Sequence, residues 1–269
     1  MLALAEHQRS RGTVRLSVGT GGLHELYQSG CGRLRLPRGG STEAVLVNTS
    51  GGLTGGDVMD WQLAVGPSAT LTATTQACER IYRATDSEPA TVATRLAVGA
   101  GGHIAWLPQE TILFDDARLD RTLDVEMAEG ATGLFCEALL FGRAAMGERV
   151  ERIGLRDRWR IRRHGRLIHA EAFAMHDVAA LAHPHGLAGH AAMATVLLIA
   201  PDAEDRLAAA SDCVSQPTDA LTDGHAAVSS WNGKLLVRLL AQDGYTLRAR
   251  LLPLLALLGG SAVPKAWTQ

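Results

Sequence analysis

The chain has 269 residues and a formal net charge of −2, and 46% of its residues are hydrophobic. That length suits one large domain or two small ones, and it can bury a sizeable core without disulfides or a structural metal. The near-neutral charge and the aromatic content of 4% argue against nucleic-acid binding, which needs a basic surface and stacking side chains. No stretch of about 18 uncharged apolar residues is present, so we expect no membrane association.

The cysteines indicate the redox environment. Cys31, Cys78, Cys136 and Cys213 are far apart and form no C-x-x-C pair, which excludes a zinc ribbon and a thioredoxin-type motif. Scattered free thiols fit a reducing compartment. Residues 1–12 soon become charged and do not have the pattern of a secretory signal. We therefore expect a cytoplasmic protein.

Alternation of apolar and polar residues with a period of two predicts strands through most of the chain. The predicted strands cover residues 13–18, 57–65, 69–75, 91–98, 118–127, 157–163 and 166–173. Arg121 is an exception on the apolar face of 118–127. Turns rich in glycine, proline and serine separate the early runs, and this spacing favours antiparallel sheets. Asn232-Gly233, between residues 226–230 and 235–240, predicts a hairpin with a type I′ turn.

Helix signals come late in the chain. Residues 201–212 have early acidic residues and an alanine-rich body, as in a short helix. Residues 245–258 place leucines at helical spacing before Gly259-Gly260, and Pro253 is expected at the first turn or at a kink. The predicted fold is mainly β, with stacked, mostly antiparallel sheets and two or three helices in the C-terminal third.

The richest glycine cluster spans residues 48–57. It has neither the Gly-Lys-Ser/Thr of a phosphate loop nor a G-x-G-x-x-G sequence before a helix. We favour a tight strand connection with several positive φ angles over direct ligand binding, and we expect Asp57 to accept hydrogen bonds from loop amides.

Carboxylates lie inside two apolar segments, residues 107–117 and 136–148. A buried carboxylate is costly unless it is paired. Glu110, Glu137, Arg143 and Glu148 are therefore expected either to form internal ion pairs or to line a polar cavity, and the sequence favours neither alternative.

Six of the ten histidines fall between positions 164 and 190. His183-Pro184-His185 would place both rings on one side of an extended segment, and imidazole binds nickel, zinc and copper. We expect these histidines to be exposed and to bind no metal ion, and a weak metal contact is the alternative.

Four segments in order resemble the urease accessory protein family UreD, also called UreH. They are residues 47–57 (VNTSGGLTGGD), 74–83 (TTQACERIYR), 106–114 (WLPQETILF) and 137–148 (EALLFGRAAMGE). The resemblance implies a single UreD-like domain over residues 1–269 that is not an enzyme. It also implies a chaperone that joins a UreF-like protein and a UreG-like GTPase on apo-urease and helps to insert nickel.

An ion passage needs groups that bind nickel weakly enough to release it, and carboxylates partly neutralised by arginine meet that need. With the resemblance, the candidates for a transient nickel path are Asp57, Glu79, Glu110, Asp115, Glu137 and Glu148, with His183 and His185 as weaker candidates. No tightly bound cofactor is expected. A structural ion pair or a solvated surface position is the alternative for each carboxylate, and the favoured one. A β-rich hydrolase with a carboxylate–histidine site and a histidine-rich nickel store are the competing functions.

Overall fold

The computed structural model describes residues 9–37, 43–143, 147–148, 150–216, 224–260 and 263–267. Part of the family-like segment 137–148, residues 144–146, lies outside them. The strands are β1 Arg11–Gly19, β2 Gly22–Gly30, β3 Gly32–Arg35, β4 Glu43–Asn48, β5 Val58–Val65, β6 Thr70–Thr75, β7 Glu79–Ile81, β8 Ala90–Val98, β9 His103–Leu107, β10 Thr111–Leu113, β11 Ala117–Met127, β12 Thr132–Phe141, β13 Ile153–Arg163, β14 Arg166–Met175, β15 Ala192–Ile199, β16 Gly224–Trp231 and β17 Lys234–Ala241. The helices are α1 Ala179–Ala182, α2 Leu207–Ser215 and α3 Gly244–Gly259.

The strands form two sheets. The seven-stranded sheet has the order β14-β13-β11-β8-β5-β1-β2. The ten-stranded sheet has the order β16-β17-β15-β12-β9-β6-β4-β3, and β10 and β7 extend it beside β12. The mainly β prediction and the late position of the two longer helices are confirmed.

The prediction of mostly antiparallel sheets is wrong. Strands β1, β5, β8, β11 and β13 pair in parallel, as do β4, β6, β9 and β12, and antiparallel pairs lie at the ends of each sheet. The physical reason is the winding of the chain. After β5, β8 and β11 the chain passes to the other sheet and returns, so each strand runs in the same direction as its predecessor in that sheet. The winding is solenoid-like, and the connection between parallel strands is itself a strand.

Two apolar cores produce three layers. One core fills the space between the sheets and includes Val14, Leu63 and Leu123. The other lies between the ten-stranded sheet and helices α2 and α3. Strand β12 is therefore buried on both faces, which explains its nearly continuous apolar sequence.

The local predictions near the C-terminus are largely confirmed. Asn232 and Gly233 have φ angles of 51° and 69°, as a type I′ turn between β16 and β17 requires. Asp243 caps α3 by accepting a hydrogen bond from the Thr246 amide at 2.7 Å, and Gly260 ends the helix with φ 61°. Pro253 lies inside α3, so its expected place in the first turn is wrong.

Within the described ranges, no helix is both long enough and apolar enough to cross a bilayer.

Candidate functional site

A buried ion-pair network joins the two sheets at Arg121. This residue of β11 is 4% exposed and points into the core between Leu119 and Leu123, which share its strand face. Its guanidinium donates to Glu137 Oε2 of β12 at 2.6 Å and to Asp157 Oδ2 of β13 at 2.6 Å. One arginine thus pairs with two buried carboxylates, one from each sheet.

The remaining donors of the network fix Glu137 in place. Trp106 Nε1 donates to Glu137 Oε1 at 3.0 Å, and Arg121 Nη1 also donates to Thr111 Oγ1 at 3.1 Å. Burial raises the pKa of Glu137, and the Arg121 guanidinium opposes that effect. The carboxylate is held by its two donors, so of the two alternatives considered for Glu137 the internal ion pair is present.

Three cavities follow one another along this network, and we call them the cavity series. The first, of about 20 Å³, is lined by Arg121, Glu137 and Asp157. The second, of about 40 Å³, shares Arg121 and Glu137 with the first. The third, of about 130 Å³, shares Glu79 with the second. Volumes above about 10–15 Å³ can hold a water molecule, so each cavity is large enough for water beside a carboxylate.

Glu79 lies where the second and third cavities meet. Its carboxylate accepts two hydrogen bonds from Asn48 Nδ2, at 3.1 and 3.2 Å. Burial raises the pKa of Glu79 to about 7, against the lowering effect of Asn48 and Arg80. This carboxyl group therefore changes its charge near neutral pH, which the sequence alone does not reveal.

Glu110 points away from the cavity series toward α3. Arg248 holds it through two hydrogen bonds, of 2.9 and 2.6 Å, and its side chain is almost completely buried. The Cys78 thiol donates to Glu110 Oε2 at 3.3 Å, and burial together with Glu110 raises the pKa of Cys78 to about 12. Glu110 is thus a structural anchor for α3.

Asp115 and Glu148 lie together at another place, near the molecular surface. Glu148 accepts a hydrogen bond from Arg143 Nε at 2.8 Å, and this interaction lowers its pKa. Asp115 accepts from the amides of Glu151 and Arg152 and from Arg83 at 2.9 Å. Although burial raises the pKa of Asp115, these donors hold it below its ordinary value. Both carboxylates are engaged in surface ion pairs.

Asp57 stabilises the glycine-rich connection, as expected. Its carboxylate accepts from the amides of Ser10 at 2.7 Å and Thr54 at 2.8 Å. Gly52 has φ 147°, and a Cβ atom there would lie 2.8 Å from the Arg80 carbonyl oxygen. The segment connects β4 to β5 with positive φ angles at Gly51, Gly52 and Gly56, as predicted for a tight strand connection.

The histidine pair is in a different setting from the predicted one. Residues 183–185 form a bend and turn, and both side chains are exposed. The ring centroids of His183 and His185 are 5.4 Å apart, and the His185 amide donates to His183 Nδ1 at 3.1 Å. In the part of the chain that the structure describes, no group of three His, Cys, Asp or Glu residues could hold a metal ion.

Sequence reasoning missed three residues of this region as site candidates. Asp157 and Arg248 gave no distinguishing signal, because charged residues at the start of a strand or along a helix are usually solvated. Arg121 did give a signal, since it interrupts the apolar face of its strand. The rule that a buried charge needs a partner identifies it as part of an internal ion pair.

The chain is similar to known proteins along almost all of its length. A family model described as UreD urease accessory protein matches residues 10–268. A protein named urease accessory protein UreD from Mesorhizobium japonicum is 48% identical, covering 97% of this chain and 95% of the relative. Proteins of the same name from Rhizobium rhizogenes and a Chelativorans species are 48% and 45% identical, covering 97% and 98% of this chain and 96% of each relative.

Proposed function

Because the chain belongs to the UreD family of urease accessory proteins and therefore has a role in urease maturation, we propose that it is a non-catalytic scaffold through which nickel reaches apo-urease. The observation that carries the proposal is the cavity series, whose walls include Glu79, Glu137 and Asp157. Nickel binds oxygen and nitrogen ligands, and a carboxylate that is already shared with an arginine or an amide holds a cation only weakly. Such groups favour transfer over storage.

Of the six carboxylates first considered, Glu79 and Glu137 are the ones retained for the path, and Asp157 is added. The others are engaged elsewhere: Asp57 in the glycine-rich connection, Glu110 by Arg248, and Asp115 and Glu148 near the surface. His183 and His185 contribute no path residue, because they are not among the residues that line these cavities.

Arg121 controls this path in the proposal. Its guanidinium supplies the positive charge that Glu137 and Asp157 require when no ion is present. A divalent ion that reaches these carboxylates replaces that charge, so Arg121 moves aside and returns after the ion has left. The two charges of the ion balance both carboxylates while it is bound, and the guanidinium pairs with both after it has left, so neither carboxylate is without a cation.

The proposed partners are a UreF-like protein, a UreG-like GTPase and apo-urease. Nucleotide hydrolysis is assigned to the GTPase, since the glycine-rich segment of this chain is a strand connection held by Asp57. We place the protein in the cytoplasm, where its four cysteines, all free of disulfides, remain reduced. Nickel is cargo in this proposal, with no resident cofactor.

The experiment is co-expression of the full chain with apo-urease and both accessory partners, followed by measurement of nickel per urease and of urease activity. Glu79→Gln and the triple variant Arg121→Met/Glu137→Gln/Asp157→Asn, in which no buried charge is left unpaired, should lower nickel loading by about tenfold, the scale seen when a group that supports a metal ligand is removed. Asp120→Asn is the matched control, because Asp120 lies on β11 and pairs with Arg158 on the outer face of the sheet.

Two outcomes separate the parts of the proposal. If the chain fails to co-purify with the UreF-like and UreG-like proteins, the scaffold role is wrong. If the complexes assemble and both path variants load nickel as well as Asp120→Asn, the path is wrong and the scaffold role stands.

A further inference from the structure

A large cavity opens at the end of the molecule where four connections meet, and we call it the turn-side cavity. Its volume is about 1030 Å³, and its walls come from the β11–β12 turn, the β13–β14 turn, the end of β15 and the β16–β17 hairpin. It shares no lining residue with the cavity series. Any ligand that it binds is therefore separate from the proposed nickel path.

Lys234 is a buried cation in the wall of this cavity. The residue is 6% exposed, and its Nζ donates to the Ile168 carbonyl at 2.7 Å and lies 4.7 Å from the centroid of the Trp231 ring. Burial lowers the pKa of Lys234. Among the described residues no carboxylate pairs with it, so its charged form lacks the partner that a buried ammonium requires.

Two arginines add positive charge to the same cavity. Arg163 donates from Nη2 to the Ala131 carbonyl at 2.9 Å, and its Nε is buried without a hydrogen-bond partner in the described structure. Arg166 is exposed at the rim. The acidic residue in the wall, Glu129, contacts His164 at 3.1 Å. The cavity therefore has an excess of cations, two of which donate only to backbone carbonyls.

Apolar side chains form the rest of the wall. Leu167, Ile168 and Ile199 line the cavity beside the cations, together with Pro201. A bare inorganic anion would use the charges and leave the exposed ones, Leu167 and Pro201, in contact with water. A carboxylate attached to an apolar chain would use both, because burial of apolar surface adds about 25 cal/mol per Å².

We infer that the turn-side cavity binds a carboxylate carried on an apolar chain, with the carboxylate on Lys234 and Arg163 and the chain against Leu167 and Pro201. The ligand is either a free small carboxylic acid or an acidic side chain beside apolar residues in a protein segment. The two sources share the same chemistry, and separate arms of one experiment distinguish them.

The test is isothermal titration of the purified full-length chain with hexanoate. We expect a Kd of about 1 mM, a modest value for so small a ligand. Hexylamine, which has the opposite charge, and phosphate, which has no apolar chain, should both bind at least about tenfold more weakly. A Kd for hexanoate above about 10 mM, or equal binding of phosphate, would overturn the inference.

Variants locate the site. Lys234→Met retains an apolar chain of similar length and should weaken hexanoate binding by about tenfold, whereas Lys265→Met, at the other lysine of the chain, should leave it unchanged. Arg166→Gln at the exposed rim should weaken binding by about threefold, and it serves as the test if Lys234→Met does not fold. If Lys234→Met folds and binds hexanoate with unchanged affinity, the inference is overturned. If Lys234→Met does not fold, unchanged affinity of Arg166→Gln overturns it.

A peptide arm identifies the source of the ligand. A blocked peptide of two leucines and a glutamate is titrated beside its glutamine counterpart. Preferential binding of the glutamate peptide over both its counterpart and hexanoate supports an acidic protein segment. Binding of hexanoate with no preference between the peptides supports a free small carboxylate.

Discussion

Arg121 shows how one buried side chain can link the charges of two sheets. Its guanidinium bridges carboxylates from β12 and β13, and all three side chains are nearly inaccessible to water. Removal of one partner from such a set leaves an uncompensated charge, whereas removal of all three together leaves apolar or neutral groups. Substitution of one member should therefore lower the free energy of unfolding much more than substitution of all three.

We expect Arg121→Met to lower the free energy of unfolding by about 3–5 kcal/mol, because Glu137 and Asp157 then remain buried without a cation. The triple variant Arg121→Met/Glu137→Gln/Asp157→Asn should recover most of that loss. Urea unfolding followed by tryptophan fluorescence measures both values. A loss below about 1 kcal/mol for Arg121→Met would mean that the two carboxylates do not depend on the guanidinium.

Glu79 should make stability depend on pH in an unusual direction. Its pKa in the folded chain is raised to about 7, so the folded state holds a proton that the unfolded state releases near the ordinary value of 4.5. The contribution of this proton to the free energy of unfolding is complete below that ordinary pKa and is lost as the pH rises through 7. The side chain of Glu79→Gln stays neutral. The difference in free energy of unfolding between this variant and the unsubstituted chain should therefore grow by about 2–3 kcal/mol, in favour of the variant, as the pH rises from about 4.5 to 8.

Glu148→Gln is the comparison for that measurement. The hydrogen bond from Arg143 lowers the pKa of Glu148, so the carboxylate stabilises the folded chain above the ordinary pKa and loses that effect in acid. Its substitution should therefore reduce stability at neutral pH, which is the opposite sign. If the free energies of unfolding of Glu79→Gln and of the unsubstituted chain changed in parallel from pH 4.5 to 8, the raised pKa of Glu79 would be contradicted.

At the scale of elements, sequence periodicity predicted strands well and their partners poorly. Residues 57–65 and 69–75, separated by the turn at 66–68, would be neighbours in an antiparallel hairpin, yet they are β5 and β6 in different sheets. A glycine–proline turn reverses the chain in either arrangement, and alternation reports only which face of a strand is buried. By contrast, Asn232-Gly233 specifies a hairpin through its positive φ angles, and that pairing was predicted correctly.

The candidate site was predictable to a similar degree. The apolar segments that contain Glu110 and Glu137 indicated either internal ion pairs or a polar cavity; both residues form an ion pair, and Glu137 also lines a cavity. The partners could not be named, because Arg121 and Arg248 are brought to them from other strands and from α3. The periodicity of one segment does not indicate which residues from distant parts of the chain lie close to it in space.

Helix α3 offers a test of a single element. Asp243 is its N-cap, and the Thr246 amide donates to the Asp243 carboxylate at 2.7 Å. Asp243→Ala should lower the free energy of unfolding by about 1 kcal/mol, since an amide at the helix start loses its acceptor. Asp205→Ala, at an exposed aspartate ahead of α2, should change it by less than about 0.5 kcal/mol. Equal effects of the two substitutions in urea unfolding would exclude a capping role.

At the scale of the whole molecule, charge is distributed by layer. Buried ion pairs lie between the sheets and under α3, whereas the outer face of the seven-stranded sheet carries pairs that cross from strand to strand: Arg95–Asp60, Arg158–Asp120 and Arg162–Asp124. Many of the arginines are thus paired locally with acidic residues. Surface pairs contribute little in water, so their effect on stability is small compared with that of Arg121.

Salt separates these two classes of pair. At about 1 M salt the screening length is about 3 Å, which weakens interactions between exposed charges and leaves those between buried charges almost unchanged. Arg158→Gln should lower the free energy of unfolding by less than about 0.5 kcal/mol at low salt and by nearly nothing at 1 M. The penalty of Arg121→Met should be the same at both concentrations. Because each value is a difference from the unsubstituted chain, general effects of salt on folding cancel. If the Arg121→Met penalty disappeared at 1 M salt, water would reach its carboxylates, and the network between the sheets would be open rather than buried.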